Sequence, residues 1–412
     1  VIYSRARQQP KMLSFFLEKL FGANCTVIHT QEKESEKDMP DALKVRMIKG
    51  PAEVIVKGAC HVLGSDVSGQ IVKVRAGKAL PFEPSNKWCR LHARLGHGAR
   101  VWWANTKQAG TAMWRNLAEE VSALAAGKKT ITVMLVGDTD TGKSTLAIYL
   151  ANMAITNGLV PSVIDGDIGQ GDLAPPTAIG AVVLSKQVVD LRDVNTTTNQ
   201  FEFVGGISPI GFEGLIAKKL RSLLDRTSSL ANICIVNTDG YVRNGGVQYK
   251  AMIAEEIQPD VVICLGENVE LFDRWQHTVP SWQILRARPS SQAFKSRFER
   301  LNRRLDQFLR YVGNGSTSSI ANLSQVKFDY MNKVFSPSDL YPPPIKQLEP
   351  ENMMGMFVGL GSNGNVVGFG IILNVNPGNS IINIQTNINS FDTIYLSNVR
   401  LSSDRIMEIQ LT

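Results

Sequence analysis

Gly137-Asp138-Thr139-Asp140-Thr141-Gly142-Lys143-Ser144 follows the apolar run Ile131-Thr132-Val133-Met134-Leu135-Val136 and precedes Thr145-Leu146-Ala147-Ile148-Tyr149-Leu150-Ala151. A strand, a glycine-flanked turn ending in Gly-Lys-Ser and a helix are the parts of a phosphate-binding P-loop. Glycines at both ends let the backbone wrap an anion without Cβ clashes. The loop amides and the helix N-terminus point at that anion. The cradle is expected to comprise Gly137, Asp138, Thr139, Asp140, Thr141, Gly142, Lys143, Ser144 and Thr145. Within it, Lys143 reaches the β- and γ-phosphates and the Ser144 hydroxyl ligates Mg²⁺. The reading is a nucleoside triphosphate site, with ATP and Mg²⁺ as cofactors. What receives the phosphate must come from the rest of the chain.

Working outward, the segments on the C-terminal side of the P-loop alternate β and α. Short apolar runs at 162–165, 233–236 and 261–265 are separated by helical patterns at 214–224 and 248–257. Runs of this kind with helices between them predict a parallel sheet covered on both faces. A strongly basic helix is expected over 291–311, carrying Lys295, Arg297, Arg300, Arg303, Arg304 and Arg310. On the N-terminal side, short strands at 45–48, 53–57, 61–63, 70–74 and 100–103 are punctuated by glycines, which predicts a β-sandwich or barrel-like module. Of the adjacent Trp102 and Trp103, one is expected to face away from that core. A helix at 111–127, with Thr111 as N-cap, links this module to the P-loop strand. Beyond 313 the chain becomes rich in Asn, Ser and Gly, and strand patterns return at 356–360, 366–372, 381–384 and 393–396. The expected architecture is α/β: an N-terminal β domain with a basic leader (1–110), a P-loop domain with linker helix and basic lid helix (111–312), and a small C-terminal β domain (313–412).

Composition sets the class. The 412 residues are 43% hydrophobic and 20% charged, as in ordinary globular proteins. Five scattered cysteines, Cys25, Cys60, Cys89, Cys234 and Cys264, form no Cys-x-x-Cys pair. This argues for a reducing, cytoplasmic compartment and against structural zinc. No apolar run reaches membrane-spanning length. The segment 13–17 reads as a small amphipathic helix, and the charged run 31–38 as a solvated face. A net charge of +7 and a pI near 9.1 are compatible with a polyanionic partner.

Asp165-Gly166-Asp167-Ile168-Gly169-Gln170 ends the strand after the P-loop helix. Ligands bind at the carboxyl ends of parallel strands, so these acids are expected beside the γ-phosphate. A carboxylate here can accept the proton of an attacking hydroxyl or hold Mg²⁺ through water. A phosphoryl-transfer site also needs cations over the transferring group. Lys295, Arg297, Arg300 and Arg304 are the candidates, with Arg300 and Arg304 one helical turn apart. Val236-Asn237-Thr238-Asp239-Gly240-Tyr241 leads a further strand tip toward the site, where Tyr241 can stack on a base. It lacks the Asn-Lys-x-Asp guanine reader, and no Leu-Ser-Gly-Gly-Gln is present.

Together these segments resemble the polynucleotide 5′-hydroxyl kinases, which include the kinase of pre-mRNA cleavage and tRNA-splicing complexes, the rRNA-processing kinases and archaeal relatives. Residues 137–145 look like the family's Gly-x-Thr-Asp-x-Gly-Lys-Ser-Thr loop. Asp167-Ile168-Gly169-Gln170-Gly171 resembles its Asp-x-Gly-Gln-Gly, and 237–242 its Asn-Thr-x-Gly-Trp-Val with Tyr241 for Trp. Residues 203–209 resemble its Gly-His-Thr-Thr-Pro clasp, keeping Ser208-Pro209 but not the His. Lys295-Ser296 and Arg300 match the spacing of its lid, with Lys in place of the first Arg. The resemblance spans roughly 50–400. It implies transfer of the ATP γ-phosphate to the 5′-hydroxyl of RNA, with DNA as an alternative acceptor. Asp167 would then be the general base and Mg²⁺ partner, with Asp165 second; Gln170, Tyr241, Ser208, Lys295 and Asp165 would touch the substrate, and RNA-processing proteins would be partners. An ATP-bound scaffold without turnover and a nucleic-acid-stimulated NTPase stay open as other readings.

Overall fold

The computed structural model describes residues 26–29, 44–266, 275, 282–288, 295–312, 318–340, 343–402 and 406–409. The basic leader, the expected helix at 13–17, the charged run 31–38, Cys25, the 291–294 part of the basic segment and the connectors at 313–316 and 341–342 lie outside the described residues.

The N-terminal strands form two sheets. β1 (Thr26–His29), β8 (Arg90–Leu95), β3 (Ala52–Lys57) and β6 (Ile71–Val74) make one, in that order. β5 (Ser65–Asp66), β4 (Cys60–Val62), β7 (Ala79–Pro84), β2 (Lys44–Lys49) and β9 (Arg100–Asn105) make the other. Alternate residues meet between them: Val54, Val56, Val72, Val74 and Leu91 from the first sheet pack with Ile48, Val62, Leu80 and Phe82 from the second. This is the sandwich expected from period-2 patterning. Trp102 and Trp103 are both half-buried, and the Arg46 guanidinium lies 3.7 Å from the Trp103 ring centre. Neither is presented as a bare platform.

The same core continues into helix α1 (Thr111–Ala125), whose N-cap is Gly110 rather than Thr111. It then meets the central sheet. β10 (Ile131–Gly137) carries the P-loop and alternates cleanly. Ile131, Val133 and Leu135 face α1, α2 (Lys143–Thr156) and the sandwich, whereas Met134 and Val136 face α3 (Glu213–Ser228) and α4 (Gly246–Ile257). The sheet order is β13-β12-β11-β14-β10-β15-β16. β11 (Pro161–Asp165), β14 (Ile233–Asn237), β10, β15 (Val261–Leu265) and β16 (Gln283–Ala287) are parallel. β12 (Ala178–Val183) and β13 (Gln200–Phe203) extend one edge antiparallel, a departure from the purely parallel expectation. The reason is local: β12 returns after a short segment from β11, with no crossover helix between them.

α5 (Arg297–Val312) is the basic helix, beginning six residues later than its charge pattern suggests. Its inward stripe is Arg303, Gln307, Phe308, Tyr311 and Val312. Phe308 meets Phe357 at 4.6 Å between ring centres, so the helix bridges the central sheet and the C-terminal domain. That domain is a seven-stranded sheet of β17 (Ser318–Asn322), β22 (Ile381–Gln385), β21 (Asn365–Asn376), β20 (Phe357–Ser362), β23 (Thr393–Tyr395), β18 (Lys327–Tyr330) and β19 (Lys333–Phe335), in that order. Among the described residues no helix is long and apolar enough to cross a membrane.

Candidate active site

Four chain segments converge at the carboxyl end of the central sheet. The first is the P-loop. Gly137 is required by packing, because a Cβ there would sit 2.2 Å from the Leu265 carbonyl oxygen. Gly142 has φ +93° with open space where its Cβ would project, which fits close approach of an anion. Lys143 begins α2 and is buried, with Nζ donating to the Gly137 carbonyl at 2.7 Å and the Asp138 carbonyl at 2.8 Å. Burial brings its pKa down to about 8, against the opposing pull of Asp167. Thr141 Oγ1 donates to the Asp138 carbonyl and stiffens the turn.

The second segment is the tip of β11. Asp167 is half-exposed, and its Oδ1 accepts the Gly169 and Gln170 amides at 3.0 and 2.8 Å. Asp165 behaves differently. It is 2% exposed, one oxygen accepts from Asn237 Nδ2 at 3.0 Å, and the other accepts the Asp172 amide at 2.6 Å. Burial lifts its pKa to about 6. With both oxygens committed and no surface presented, Asp165 holds the turn together rather than meeting a substrate, which corrects its expected role as substrate contact and reserve base.

The third segment is the tip of β14. Asn237 Nδ2 donates to both Asp165 and the Ser144 Oγ (3.1 Å), so it ties the β11 tip to the P-loop. Asp239 accepts from Lys250 Nζ and the Tyr249 hydroxyl, each at 2.8 Å, and from the Tyr241 amide. Gly240 touches the P-loop directly: a Cβ there would lie 2.5 Å from Thr139 Oγ1. This contact sets Tyr241 beside the P-loop, with its hydroxyl donating to the Asn244 carbonyl at 2.6 Å.

The fourth segment is the start of α5. Asp140, in the left-handed region at φ +61°, receives the Lys295 amide at 3.0 Å, Lys295 Nζ at 3.3 Å and Arg300 Nη2 at 2.5 Å. Burial, joined by repulsion from Arg303, brings Lys295 down to about 8. Arg304 Nε donates to the Gly169 carbonyl at 3.0 Å, and Gln170 Nε2 donates to the Arg300 carbonyl at 3.3 Å. Gln170 Oε1 is buried with no partner among the described residues. Arg297 is exposed and makes none of these contacts, so the lid charge over the P-loop comes from Lys295 and Arg300 instead. Ser208 is exposed in a loop whose Ile207 carbonyl lies against Gly169.

Beneath the lid is a cluster that sequence reasoning missed. Asp172 is fully buried and pairs with Arg303 at 2.7 Å, Lys78 at 3.1 Å and Arg192 at 3.3 Å. Burial alone would raise its pKa, but Arg303, Lys78 and Arg192 together hold it far below the carboxylate range. Lys78 also reaches Asp190 at 2.8 Å, and Lys49 pairs with Glu299 at 2.9 Å. The N-terminal sandwich is thus ion-paired to the site. A cleft lined by Met47, Leu80, Trp114, Ser144, Thr145 and Ile148 opens between it and the P-loop. Asn237 and Asp172 had a sequence signal, since both sit at or just after a strand tip next to a site motif. Lys78 had none.

Residues 137–314 match the family model described as the mRNA cleavage and polyadenylation factor CLP1 P-loop. A polyribonucleotide 5′-hydroxyl-kinase of Pyrococcus horikoshii is 34% identical over 197 residues, covering 48% of this chain and 53% of that protein. A protein named CLP1 homolog from Brugia malayi is 29% identical, covering 40% of each. The chain thus spans about half the length of the curated relatives it matches. A solved structure of Clp1p in complex with a segment of Pcf11p superposes with a TM-score of 0.69 at 12% identity, covering 92% of this chain and 98% of that one. The three-part α/β fold is therefore shared along almost the whole chain, and its centre is a P-loop nucleotide-binding domain.

Proposed function

We infer that this chain, built around a CLP1-type P-loop domain, transfers the γ-phosphate of ATP to the 5′-hydroxyl of RNA. The observation that carries the reading is the convergence of a half-exposed carboxylate, Asp167, with buried Lys143 and the Asp140-paired cations Lys295 and Arg300 at one end of the sheet. A phosphoryl transfer needs little covalent help from the protein; it needs positioning and cations. The names of the curated relatives support the same acceptor.

Each residue has a role. The amides of 137–145 and the Lys143 ammonium bind the triphosphate, for which Lys143 leaves its two carbonyl partners. Ser144 and Asp167 fit a Mg²⁺, since Ser144 Oγ keeps a lone pair beside its one Asn237 hydrogen bond, and Asp167 spends only Oδ1 on the backbone. Mg²⁺ bound there supplies neutralisation of phosphate charge. Asp167 accepts the proton of the attacking hydroxyl. Gln170, whose Oε1 lacks a partner, and the Tyr241 ring orient the 5′ nucleotide, with Ser208 at the margin. Lys295 and Arg300 stabilise the charge on the transferring group, and Arg304 holds the Asp167 turn through Gly169. The cleft beside Thr145 takes the nucleoside. An RNA-processing protein partner accords with the fold shared with Clp1p.

The test is transfer of labelled γ-phosphate to matched 5′-hydroxyl RNA and DNA oligonucleotides. Product on RNA is expected. Stable ATP binding with no product would favour a scaffold, and phosphate release without product would favour an NTPase.

A further inference from the structure

The sandwich face turned away from the catalytic domain is built differently from an ordinary solvent face. β8, β3 and β6 are in register there. Arg94, Glu53 and Lys73 form one cross-strand row, His92, Ile55 and Ile71 the next, and Arg90 and Lys57 the third. The residues between them, Val54, Val56, Val72, Leu91 and Ala93, are buried in the sandwich core, so period 2 sends the three rows outward. Ile55 is 41% exposed and Ile71 60%. The outer rows carry Arg94, Lys73, Arg90 and Lys57 against the single acid Glu53. Among the described residues Lys57, Lys73 and Arg94 are not paired with a carboxylate. At the third row, the turn carrying Trp88 packs on Gly58, with the Trp88 carbonyl 3.1 Å from where a Cβ would stand. Trp88 is 70% exposed, and Lys87 Nζ lies 5.2 Å from its ring centre.

We propose that this face binds the RNA tract that follows the 5′ nucleotide. Two basic rows about 13 Å apart, by the rise of a strand, flank an apolar row and end at an open indole. That is the combination single-stranded nucleic acid uses: cations for the phosphates, apolar and aromatic surface for the bases. An acidic protein would explain the cations but not the bare Ile55, Ile71 and Trp88. The face also leads to the site. From Lys73 the chain runs four residues to Gly77, where a Cβ would lie 3.9 Å from the Lys295 side chain, so its near end is within about 19 Å of the lid along an extended chain. The proposal rests on the RNA-kinase reading for its substrate.

The experiment measures binding without turnover. Fluorescence anisotropy is read with a 20-nucleotide 5′-phosphorylated RNA, ATP absent, across a salt series. The variant Lys57→Glu/Lys73→Glu/Arg90→Glu/Arg94→Glu is expected to bind at least tenfold more weakly, with the log–log salt slope reduced by about 3. Trp88→Ala is expected to bind at least fivefold more weakly with the slope unchanged. Lys327→Glu/Lys333→Glu, on the C-terminal domain, changes net charge by half as much away from the face and should change affinity less than twofold. If the fourfold variant does not fold, Arg94→Glu alone takes its place with a slope change of about 0.7. Wild-type affinity in the face variants, an equal loss in the control, or a loss of polyglutamate binding with RNA binding intact would overturn the proposal. A chain that binds this RNA through the face yet phosphorylates no 5′-hydroxyl end would leave the proposal standing and sink the kinase reading instead.

Discussion

Asp140 and Asp172 are both acids with buried side chains that hold the basic helix α5, and they differ in how far their partners reach water. Asp140 sits in the P-loop with only 4% of its side-chain surface in solvent, but its partners Lys295 and Arg300 keep 21% and 29% of theirs. Asp172 is wholly buried, and its partners Lys78, Arg192 and Arg303 keep 13%, 7% and 9%. Partly hydrated ion pairs are weak and exchangeable, whereas a buried one is costly to break because it strands a charge. One helix therefore has a fixed root at Arg303 and a releasable tip at Lys295–Arg300. A triphosphate can compete for the tip without disturbing the root.

The largest expected effects fall on the chemistry that the tip serves. Lys143→Ala and Asp167→Asn should each reduce γ-phosphate transfer at least 10³-fold, within the range for loss of a positioned catalytic group, with thermal melting unchanged. Full activity in either variant would remove the P-loop and the β11 tip from the mechanism. Next comes the root. Asp172→Ala should cost about 3–5 kcal/mol of stability by denaturant titration, and Asp140→Ala less, because Lys295 and Arg300 can turn to water when their partner is removed. Equal losses would erase the distinction between root and tip. A smaller effect sharpens it. Asp140→Asn and Arg300→Met should each lower kcat roughly tenfold, and the double variant should be no worse than either, because residues acting as one unit are not additive. Multiplied losses would show that Asp140 acts apart from the lid.

The smallest effects are in pH. Asp190, whose burial is outweighed by Lys78 and Arg192, is held down to about 2 in the folded state. A depressed carboxylate contributes stability above its unfolded value, about 4, that is lost as pH falls toward 2. Removing Lys78 by Lys78→Met should flatten that acid limb. Lys143 runs the other way. With its pKa down to about 8, it is charged below that value, so ATP affinity should decline as pH rises past about 8. A flat affinity between pH 7 and 9 would show that its charge does not matter to binding.

Much of this was legible in the chain because local chemistry dictated it. Gly137 to Ser144 can do little but wrap an anion, and the apolar run Ile131 to Val136 announces a strand buried on both faces. Asp167 was legible as the first residue of an Asp-x-Gly-Gln-Gly turn at a strand tip. The misreadings share one cause, which is that sequence shows charge but not burial. Asp165 and Asp167 look alike two residues apart, yet Asp165 closes the buried strand β11 and Asp167 stands half-exposed on the turn beyond it. Arg297, Arg300 and Arg303 look alike along the helix, yet only the facing positions meet Asp140 and Asp172. Lys78 was invisible because its partners come from 94 and 112 residues away. The antiparallel edge β12–β13 was missed because a short apolar run does not state its direction.

Gly240 carries one more implication. Between it and Thr139 there is no room even for a methyl group, so the P-loop and the loop that carries Tyr241 have no clearance between them. Whatever displaces one must displace the other. On the proposed reading the donor and acceptor halves of the site are thereby in direct contact, and any larger residue at 240 would force the two loops apart.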